Sequence, residues 1–325
     1  MRPQRNILAG RRSPRPAATA RAPAPMAPPQ TVEPPARPTP SLPWRESIAG
    51  AKHPLSYMQF LEWALYTLGS RFELEALPVA EDMAYAENLG KPGRIVSLAF
   101  KSKEIRRLRL TYFDGGPAVQ VLNAVLYPDP SVDMPVLGLD LISFGKKHLA
   151  GMDFQPLYDD AAYRERYTAP LLPVKAKYPV LGQKMSQRFY DSARFFSDAM
   201  LFARFEDADV INDTLFPAFK DYVSIYADTL AAAVAAKTEP SAAVAAVTST
   251  TAATAATGLD ADAARNLGRQ AAYDQYNAER DPAHGLFVGY FGEAWSERFM
   301  DTFLFPLSQR PEGGYPKMMR PPGCG

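Results

Sequence analysis

Short apolar runs fill the first half of the chain, and longer amphipathic segments fill the second half. Runs of strand length occur at residues 94–100, 105–113, 118–127, 136–144 and 148–154. Each run is mostly apolar or alternates in polarity, and short connections separate them, which is typical of an antiparallel meander. A further strand is expected within residues 198–205. The pattern therefore predicts one antiparallel sheet near the centre of the domain.

Helical periodicity lies on both sides of this strand region. A helix is predicted over residues 57–68, where apolar residues recur three and four positions apart. Later helices are predicted around residues 219–230, over 261–279, and as an aromatic helix from Pro282 through Phe303. Strands followed by segregated helices indicate the α+β class. Because the central runs are apolar on both strand faces, we expect a three-layer α/β/α sandwich with a central antiparallel β-sheet flanked by helices.

Two segments differ in composition from this domain. Residues 1–43 are rich in Arg, Ala and Pro and contain no acidic residue before Glu33, which is typical of an organelle transit peptide. A disordered tail without a targeting role is the alternative. Residues 239–257 are rich in Ala and Thr, so we expect a disordered low-complexity insertion. This leaves a single domain over residues 44–310 and a C-terminal tail at 311–325.

Composition excludes several classes of function. A net charge of +1 over 325 residues argues against a nucleic-acid-binding domain. Cys324 is the single cysteine, so the chain can form neither an internal disulfide nor a Cys-ligated iron–sulfur cluster. The three histidines lack zinc-site spacing, and no glycine-rich nucleotide motif is present. Any redox chemistry must therefore take its electrons from outside the chain.

Two polar residues interrupt the apolar strand faces. Asn123 shares a strand face with valines, and Asp140 shares one with Ile142 in the next run. If the connection turns symmetrically about Ser131 and Val132, Asn123 pairs directly with Asp140. A carboxylate on a covered sheet is costly unless it is paired or meets a ligand, and burial raises its pKa toward that of a proton donor. A structural acid, satisfied by backbone or water, is the alternative.

Other charged residues allow two interpretations. Asp281 precedes Pro282 at the start of the last helix, where an Asp-Pro pair suits a helix cap as well as a functional site. Asp153, in the middle of a predicted strand, is ambiguous. A basic run indicates either a solvated sheet edge or a surface for an acidic partner. It comprises Lys101, Lys103, Arg106, Arg107 and Arg109.

Three segments carry a resemblance to a known family. They are VLNAVLYPDPSVDMPVLGLDL (121–141), GMDFQPL (151–157) and YDQYNAERDPAHGLFVGYFGEAWSERFMDTFLFP (273–306). Together they resemble the ferredoxin-dependent bilin reductases, over about residues 42–308. The resemblance implies a three-layer α/β/α fold and an enzyme that binds no metal or flavin and takes electrons from reduced ferredoxin. With the predicted transit peptide, it implies the plastid (chloroplast) stroma.

The resemblance also implies a reaction. LDLISFGKKHLAGMDFQPL and NAERDPAHGLF are most similar to the branch that acts on biliverdin IXα in phycoerythrobilin biosynthesis. The implied reaction is a two-electron reduction of the 15,16 double bond, giving 15,16-dihydrobiliverdin. The reductase that receives this product is a further expected partner. The phycoerythrobilin-forming branch is the alternative enzyme, and a non-catalytic bilin carrier is the alternative class.

Site residues follow from the same match. The bilin would lie between the sheet and the C-terminal helices, with Asp140 as principal proton donor and Asp281 opposite it as second donor or anchor. Asn123 and Leu286 are the further substrate contacts. Asn123 and Thr111 stand where the phycocyanobilin-forming sibling has a histidine and a glutamate, so a four-electron reduction is not expected. The predicted docking residues for acidic ferredoxin are Lys101, Lys103, Arg106, Lys146 and Lys147.

Overall fold

The predicted strands form the centre of the structure, a computed structural model that describes residues 53–238, except 186, 187, 189 and 192, and residues 260–310. Eight antiparallel strands form one sheet in the order β1-β3-β4-β5-β6-β7-β8, and β2 also pairs with β3. They are β1 (Glu75–Ala76), β2 (Tyr85–Glu87), β3 (Arg94–Lys101), β4 (Ile105–Asp114), β5 (Val119–Pro128), β6 (Val136–Phe144), β7 (Lys147–Gln155) and β8 (Leu201–Phe205). The predicted meander and the additional strand are confirmed.

One face of the sheet is covered by α1 (Met58–Arg71) and α5 (Phe216–Thr238). Leu110, Ala124 and Leu139 lie side by side across three strands and belong to the apolar core on this face. The rings of Phe60 in α1 and Phe219 in α5 meet edge to face at 5.1 Å. This layer contains the largest apolar cluster of the described residues and none of the candidate acids.

The opposite face is covered by α6 (Ala261–Ala278), α7 (Ala283–Phe291) and α8 (Glu293–Phe299). Phe113 of the sheet lies 6.2 Å, centroid to centroid, from Phe287, which in turn packs at 5.3 Å against Phe299. With helices on both faces of an antiparallel sheet, the predicted α/β/α sandwich is confirmed. The candidate site lies on this second face.

The aromatic segment after Pro282 is not the single helix that its periodicity predicts. Gly292 adopts a φ of 84°, a conformation that residues with a side chain rarely adopt, and it separates α7 from α8. A π-helical turn, Met300–Leu304, follows α8. Trp295 stacks on Phe299 at 4.6 Å, so the predicted aromatic face forms within the second helix.

Several short elements have no clear sequence signal. They are α2 (Glu81–Ala84), α3 (Ala161–Tyr167), α4 (Leu172–Lys177) and the strands β1 and β2. No helix within the described ranges is both long and apolar enough to cross a membrane. The predicted transit peptide (1–43), insertion (239–257) and tail (311–325) lie outside the described residues and stay predictions.

Candidate functional site

A row of polar residues crosses the sheet face beneath the C-terminal helices. The strand register pairs Ser97 with Thr111, Thr111 with Asn123, and Asn123 with Asp140. The predicted pairing of Asn123 with Asp140 is therefore confirmed. On the far side, Asp140 pairs with Gly151, which places no side chain beside the carboxyl group. Asp140 thus ends a polar row that begins under the helices.

Hydrogen bonds connect Asp140 to a buried cation. Asn123 Nδ2 donates to Asp140 Oδ1 at 3.3 Å, and Arg109 Nη1 donates to Asn123 Oδ1 at 2.5 Å. Burial, reinforced by the negative charge of Asp281, raises the pKa of Asp140 to about 7, although the Asn123 bond and the Arg109 charge oppose the rise. Protonated and ionised forms of Asp140 therefore coexist near neutral pH, as a proton donor requires.

Asp140 remains accessible despite this burial. Asn123, Asp140 and Asp281 are each half-buried, whereas the residues of the surrounding core are buried. Ile142 and its cross-strand partner Leu149 are half-buried as well and lie toward the β6–β7 turn. These partly exposed side chains mark an accessible site above β5, β6 and β7, on the face covered by the C-terminal helices, that extends toward this turn. We call it the acid recess.

Asp281 lies opposite the sheet, between α6 and α7. Its Oδ1 accepts a hydrogen bond from the Ala283 backbone N–H at 2.8 Å, so it caps the first turn of α7. Burial raises the pKa of Asp281, opposed by this bond and by the positive charges of Arg109 and His284. Because the charge of Asp281 also raises the pKa of Asp140, the two acids lie within electrostatic range. The capping interpretation of Asp281 is therefore confirmed, and its role in the site stays a prediction.

Tyr190, in the segment between α4 and β8, lies within electrostatic range of both acids. Burial raises the pKa of its phenol well above the ordinary value, and the charges of Asp281 and Asp140 add to the rise. Its ring packs 5.7 Å from the ring of Phe196. A phenol near both acids is a further hydrogen-bonding group for a ligand.

Asp153 differs from Asp140 although both lie on the same sheet face. It is 1% exposed, and its two oxygens accept hydrogen bonds from the backbone N–H (2.7 Å) and hydroxyl (2.5 Å) of Ser197. Burial raises its pKa to about 7 as well. With both oxygens bonded and no access to solvent, Asp153 holds the segment before β8 against β7. It is a structural acid.

Two other candidates have distinct positions. Leu286 is a half-buried residue of α7 that packs against the apolar cluster around Phe113. The hydroxyls of Ser97 and Thr111 are buried and, among the described residues, have no hydrogen-bond partner. Buried hydroxyls of this kind are usually completed by water or a ligand. Ser97 and Thr111, at the end of the polar row away from Asp140, therefore have unused hydrogen-bonding capacity.

The interpretation of the basic run as a solvated edge or partner surface is wrong for its central arginines. Arg106 Nε donates to Gln270 in α6 at 2.6 Å, and its guanidinium lies 4.5 Å over the Tyr127 ring. Arg109 is 1% exposed. A register irregularity between Ile105 and Arg107 breaks the period of two, so Arg106 also turns toward α6. Arg106 is thus half-buried and does not belong to an exposed rim.

The predicted docking lysines lie at opposite ends of the sheet. Lys101 and Lys103 are near the β3–β4 turn and pair with Glu75 (3.3 Å) and Glu104 (3.5 Å). Lys146 and Lys147 are exposed at the β6–β7 turn. Successive hairpins of a meander alternate between ends, and a strand of nine residues spans about 30 Å. The structure therefore does not bring the lysines together, and only the second pair lies at the end toward which the acid recess extends.

Two residues of the site have little sequence signal. Strand periodicity puts Arg109 on the face of Thr111 and Phe113, which would have indicated burial had its charge not favoured a surface position. Tyr190 lies outside every helix and strand, so no periodicity marks it. In the described part of the chain, no group of His, Cys, Asp and Glu residues is arranged to hold a metal ion.

Comparison with known proteins identifies the family. The family model described as ferredoxin-dependent bilin reductase matches residues 62–306, which include both acids and the whole polar row. The chain belongs to this family. The expected resemblance is thereby confirmed, and the candidate site of this bilin reductase lies within the matched residues.

Individual relatives show which members of the family this chain is similar to. The chain is 39% identical over 252 residues to a 15,16-dihydrobiliverdin:ferredoxin oxidoreductase of Nostoc punctiforme, covering 77% of this chain and 94% of the relative. Identity to the protein of the same name from Gloeobacter violaceus is 38%, with the same coverage. A phycoerythrobilin:ferredoxin oxidoreductase of Nostoc punctiforme is 33% identical over 264 residues, covering 78% of this chain and 94% of that protein.

A solved structure supports the fold. Phytochromobilin synthase from tomato, crystallised in complex with biliverdin, superimposes with a TM-score of 0.64 at 23% identity. The match covers 81% of this chain and 92% of the tomato protein. The α/β/α sandwich of this bilin reductase is thus a fold already known from another protein.

Proposed function

We propose that this bilin reductase reduces biliverdin IXα to 15,16-dihydrobiliverdin with electrons from reduced ferredoxin. The observation that carries the proposal is the acid recess, in which Asp140 on the sheet and Asp281 at the start of α7 lie within electrostatic range of one another, inside the matched family region. The relatives named for this activity, 39% and 38% identical over most of their lengths, support the choice of reaction.

The reaction adds two electrons and two protons across one double bond. Two molecules of reduced ferredoxin each supply one electron, and the carbon atoms at positions 15 and 16 each gain one hydrogen. We assign the principal proton transfer to Asp140, whose pKa of about 7 permits both giving up and regaining a proton at neutral pH. Asp281 supplies the second proton or binds pyrrole nitrogens. The proposed enzyme holds no metal or flavin of its own.

The amide of Asn123 supports a reaction that stops after two electrons, at 15,16-dihydrobiliverdin. It occupies the centre of the recess floor beside Asp140, and an amide cannot act as a general acid near neutral pH. Thr111, next in the row, cannot do so either. Within the polar row, proton donation is therefore limited to Asp140. The phycoerythrobilin-forming activity is the second candidate, because a relative of that name is 33% identical.

The reaction is tested by its product. Biliverdin IXα incubated anaerobically with the protein, with and without residues 1–43, and with reduced ferredoxin should show a strong blue shift of its absorbance as conjugation shortens. Chromatography of the pigment should identify 15,16-dihydrobiliverdin. Formation of phycoerythrobilin or phycocyanobilin would assign a different reaction. Binding of biliverdin without electron uptake would instead support the carrier.

Ferredoxin is proposed to dock at the β6–β7 turn. Gly145, with a φ of 57°, makes the two-residue turn that exposes Lys146 and Lys147. Lys147 pairs with Phe144, which is 51% exposed and shares its strand face with Asp140. Phe144 is four residues from Asp140, or about 13 Å along the strand. An acidic donor bound at this turn would therefore lie beside the acid recess.

Charge reversal at this turn should weaken the use of ferredoxin. In the double variant Lys146→Glu/Lys147→Glu, the KM for ferredoxin should rise about tenfold at low salt, because rim charges mainly set the encounter rate. Biliverdin affinity should not change. The matched control is Lys101→Glu/Lys103→Glu at the opposite end of the sheet, which should leave this KM unaltered. Equal effects of the two pairs, or a KM independent of salt, would contradict docking at the β6–β7 turn.

We also propose that the protein acts in the plastid stroma and passes its product to the next bilin reductase. The location is supported by the Arg-rich, acid-poor composition of residues 1–43. The transfer is supported by the chemistry, because 15,16-dihydrobiliverdin retains double bonds that a second reductase can reduce.

A further inference from the structure

Arg109 is a buried cation directly behind the acid recess. It is 1% exposed, and its guanidinium lies 5.3 Å from the Phe305 ring. None of the salt bridges formed by the described residues includes it, and its Nε lacks a hydrogen-bond partner among them. A buried guanidinium without a directly paired carboxylate is costly. Its cost suggests a role beyond packing.

The bond from Arg109 determines which way the Asn123 amide points. A guanidinium has only donors, whereas an amide has one acceptor oxygen and one NH₂ donor. Because Arg109 Nη1 lies 2.5 Å from the amide, the atom it meets must be the oxygen, Oδ1. The NH₂ group is then directed at Asp140. Without Arg109 the amide is free to rotate by half a turn and offer its oxygen to Asp140.

The two amide orientations have opposite effects on the acid. An NH₂ donor stabilises the ionised carboxylate of Asp140, whereas an amide oxygen stabilises its protonated form. We propose that Arg109 is a positioning residue that fixes the Asn123 amide and thereby sets the protonation of Asp140. The effect of Arg109 on turnover that this inference implies rests on the proposed function. The protonation of Asp140 itself is measurable without turnover.

Several titratable or charged groups interact electrostatically with Asp140. On its own side of the sheet these are Asp281 at the start of α7 and Tyr190 in the segment before β8. Tyr57 acts from the opposite face of the sheet, where its hydroxyl lies 3.2 Å from His148 Nδ1. Asp281 raises the pKa of Asp140, and Arg109 lowers it. Loss of the Arg109 charge and rotation of the amide both favour the protonated acid. Removing Arg109 should therefore move the titration of Asp140 to higher pH.

The test is a titration of ligand-free protein. The carboxyl signal of Asp140 is followed by infrared difference spectroscopy and assigned by its loss in Asp140→Asn. In Arg109→Gln the midpoint should rise by about one pH unit, whereas Arg109→Lys, which keeps a charged donor, should remain within about 0.3 unit of the original. An unchanged midpoint in folded Arg109→Gln would overturn the proposal. If that variant does not fold, Asn123→Ala replaces it, and its midpoint should also rise.

A double variant separates positioning from a direct effect of charge. If Arg109 acts through the amide, Arg109→Gln should shift the midpoint much less in an Asn123→Ala background than in the original protein. The full shift in that background would show that the charge acts alone and would overturn the positioning role. With reduced ferredoxin and biliverdin, the alkaline limb of kcat should move by the same amount as the titration. A failure of the proposed function would remove this kinetic readout but leave the titration intact.

Discussion

The Asp140→Asn variant is expected to lose at least about 100-fold in turnover while retaining biliverdin affinity. The amide is nearly isosteric with the carboxyl group and still accepts the hydrogen bond from Asn123, so the acid recess should keep its shape. It has no proton to give at neutral pH. Anaerobic single-turnover kinetics would measure the loss, and absorbance titration would measure binding. A bilin radical should persist after the first electron.

Asp153→Asn is the matched control. Asp153 lies on the same sheet face and has a similarly raised pKa, but both of its oxygens bond Ser197. This substitution should lower stability and leave the chemistry of the folded fraction intact. Turnover of Asp140→Asn within about threefold of the original protein corresponds to a change in barrier well below about 1.4 kcal/mol. Such a result would exclude Asp140 as the donor.

The Asp140→Asn substitution should also raise the stability of the protein above neutral pH. Folding raises the pKa of Asp140 from the ordinary 3.8 to about 7. Between these values the folded protein binds more protons than the unfolded chain, so the contribution of Asp140 to stability falls as pH rises and is most unfavourable above pH 7. Asn does not titrate. We expect Asp140→Asn to be more stable at pH 8 by on the order of 1–3 kcal/mol, an advantage that thermal unfolding should show disappearing toward pH 4.

The sheet could be predicted from the sequence because strand polarity and short connections constrain each other. A slip of one residue would turn Asp140 to the other face, so the apolar pattern and the symmetric turn about Ser131 and Val132 together define the register. The pairing of Asn123 with Asp140 depends on nothing more distant than one hairpin. Local information was sufficient for this part of the site.

Other features depend on tertiary structure. The burial of Arg109 requires a helix layer whose position the strands do not specify, and its charge favours the opposite expectation. The break at Gly292 depends on how α8 packs, since a glycine within an apolar helical pattern is often tolerated. The separation of Lys101 from Lys146 follows from the alternation of hairpin ends, which a list of basic residues does not reveal.

Access to the acid recess separates the proposed proton donor from the structural acid. Burial brings the pKa of both Asp140 and Asp153 to about 7, so the pKa alone does not identify a site. Asp153 uses both oxygens internally, whereas Asp140 accepts one long hydrogen bond and keeps accessible surface. An acid that can meet a ligand is the one that can transfer a proton to it.

Substitution of Asp281 is expected to have the second large effect on turnover. Asp281 makes two interactions, a capping bond to α7 and a charge interaction with Asp140, and two variants separate their contributions. Asp281→Asn keeps an oxygen for the Ala283 N–H, so α7 should still begin normally. The negative charge and the exchangeable proton are lost. We expect turnover to fall by about tenfold or more. Because a like charge near Asp140 is removed, the pKa of Asp140 should fall, and the alkaline limb of kcat should move to lower pH, opposite to the shift expected for Arg109→Gln.

Asp281→Ala removes the cap as well and should cost about 1 kcal/mol of stability beyond Asp281→Asn. The comparison assigns each effect to its cause, because the kinetic loss should be shared by both variants and the loss in thermal stability should be confined to Ala. pH–rate profiles and thermal unfolding of the two proteins provide the measurements. Full turnover and an unmoved alkaline limb in Asp281→Asn would show that Asp281 only caps α7, and Asp140 would then have to supply both protons.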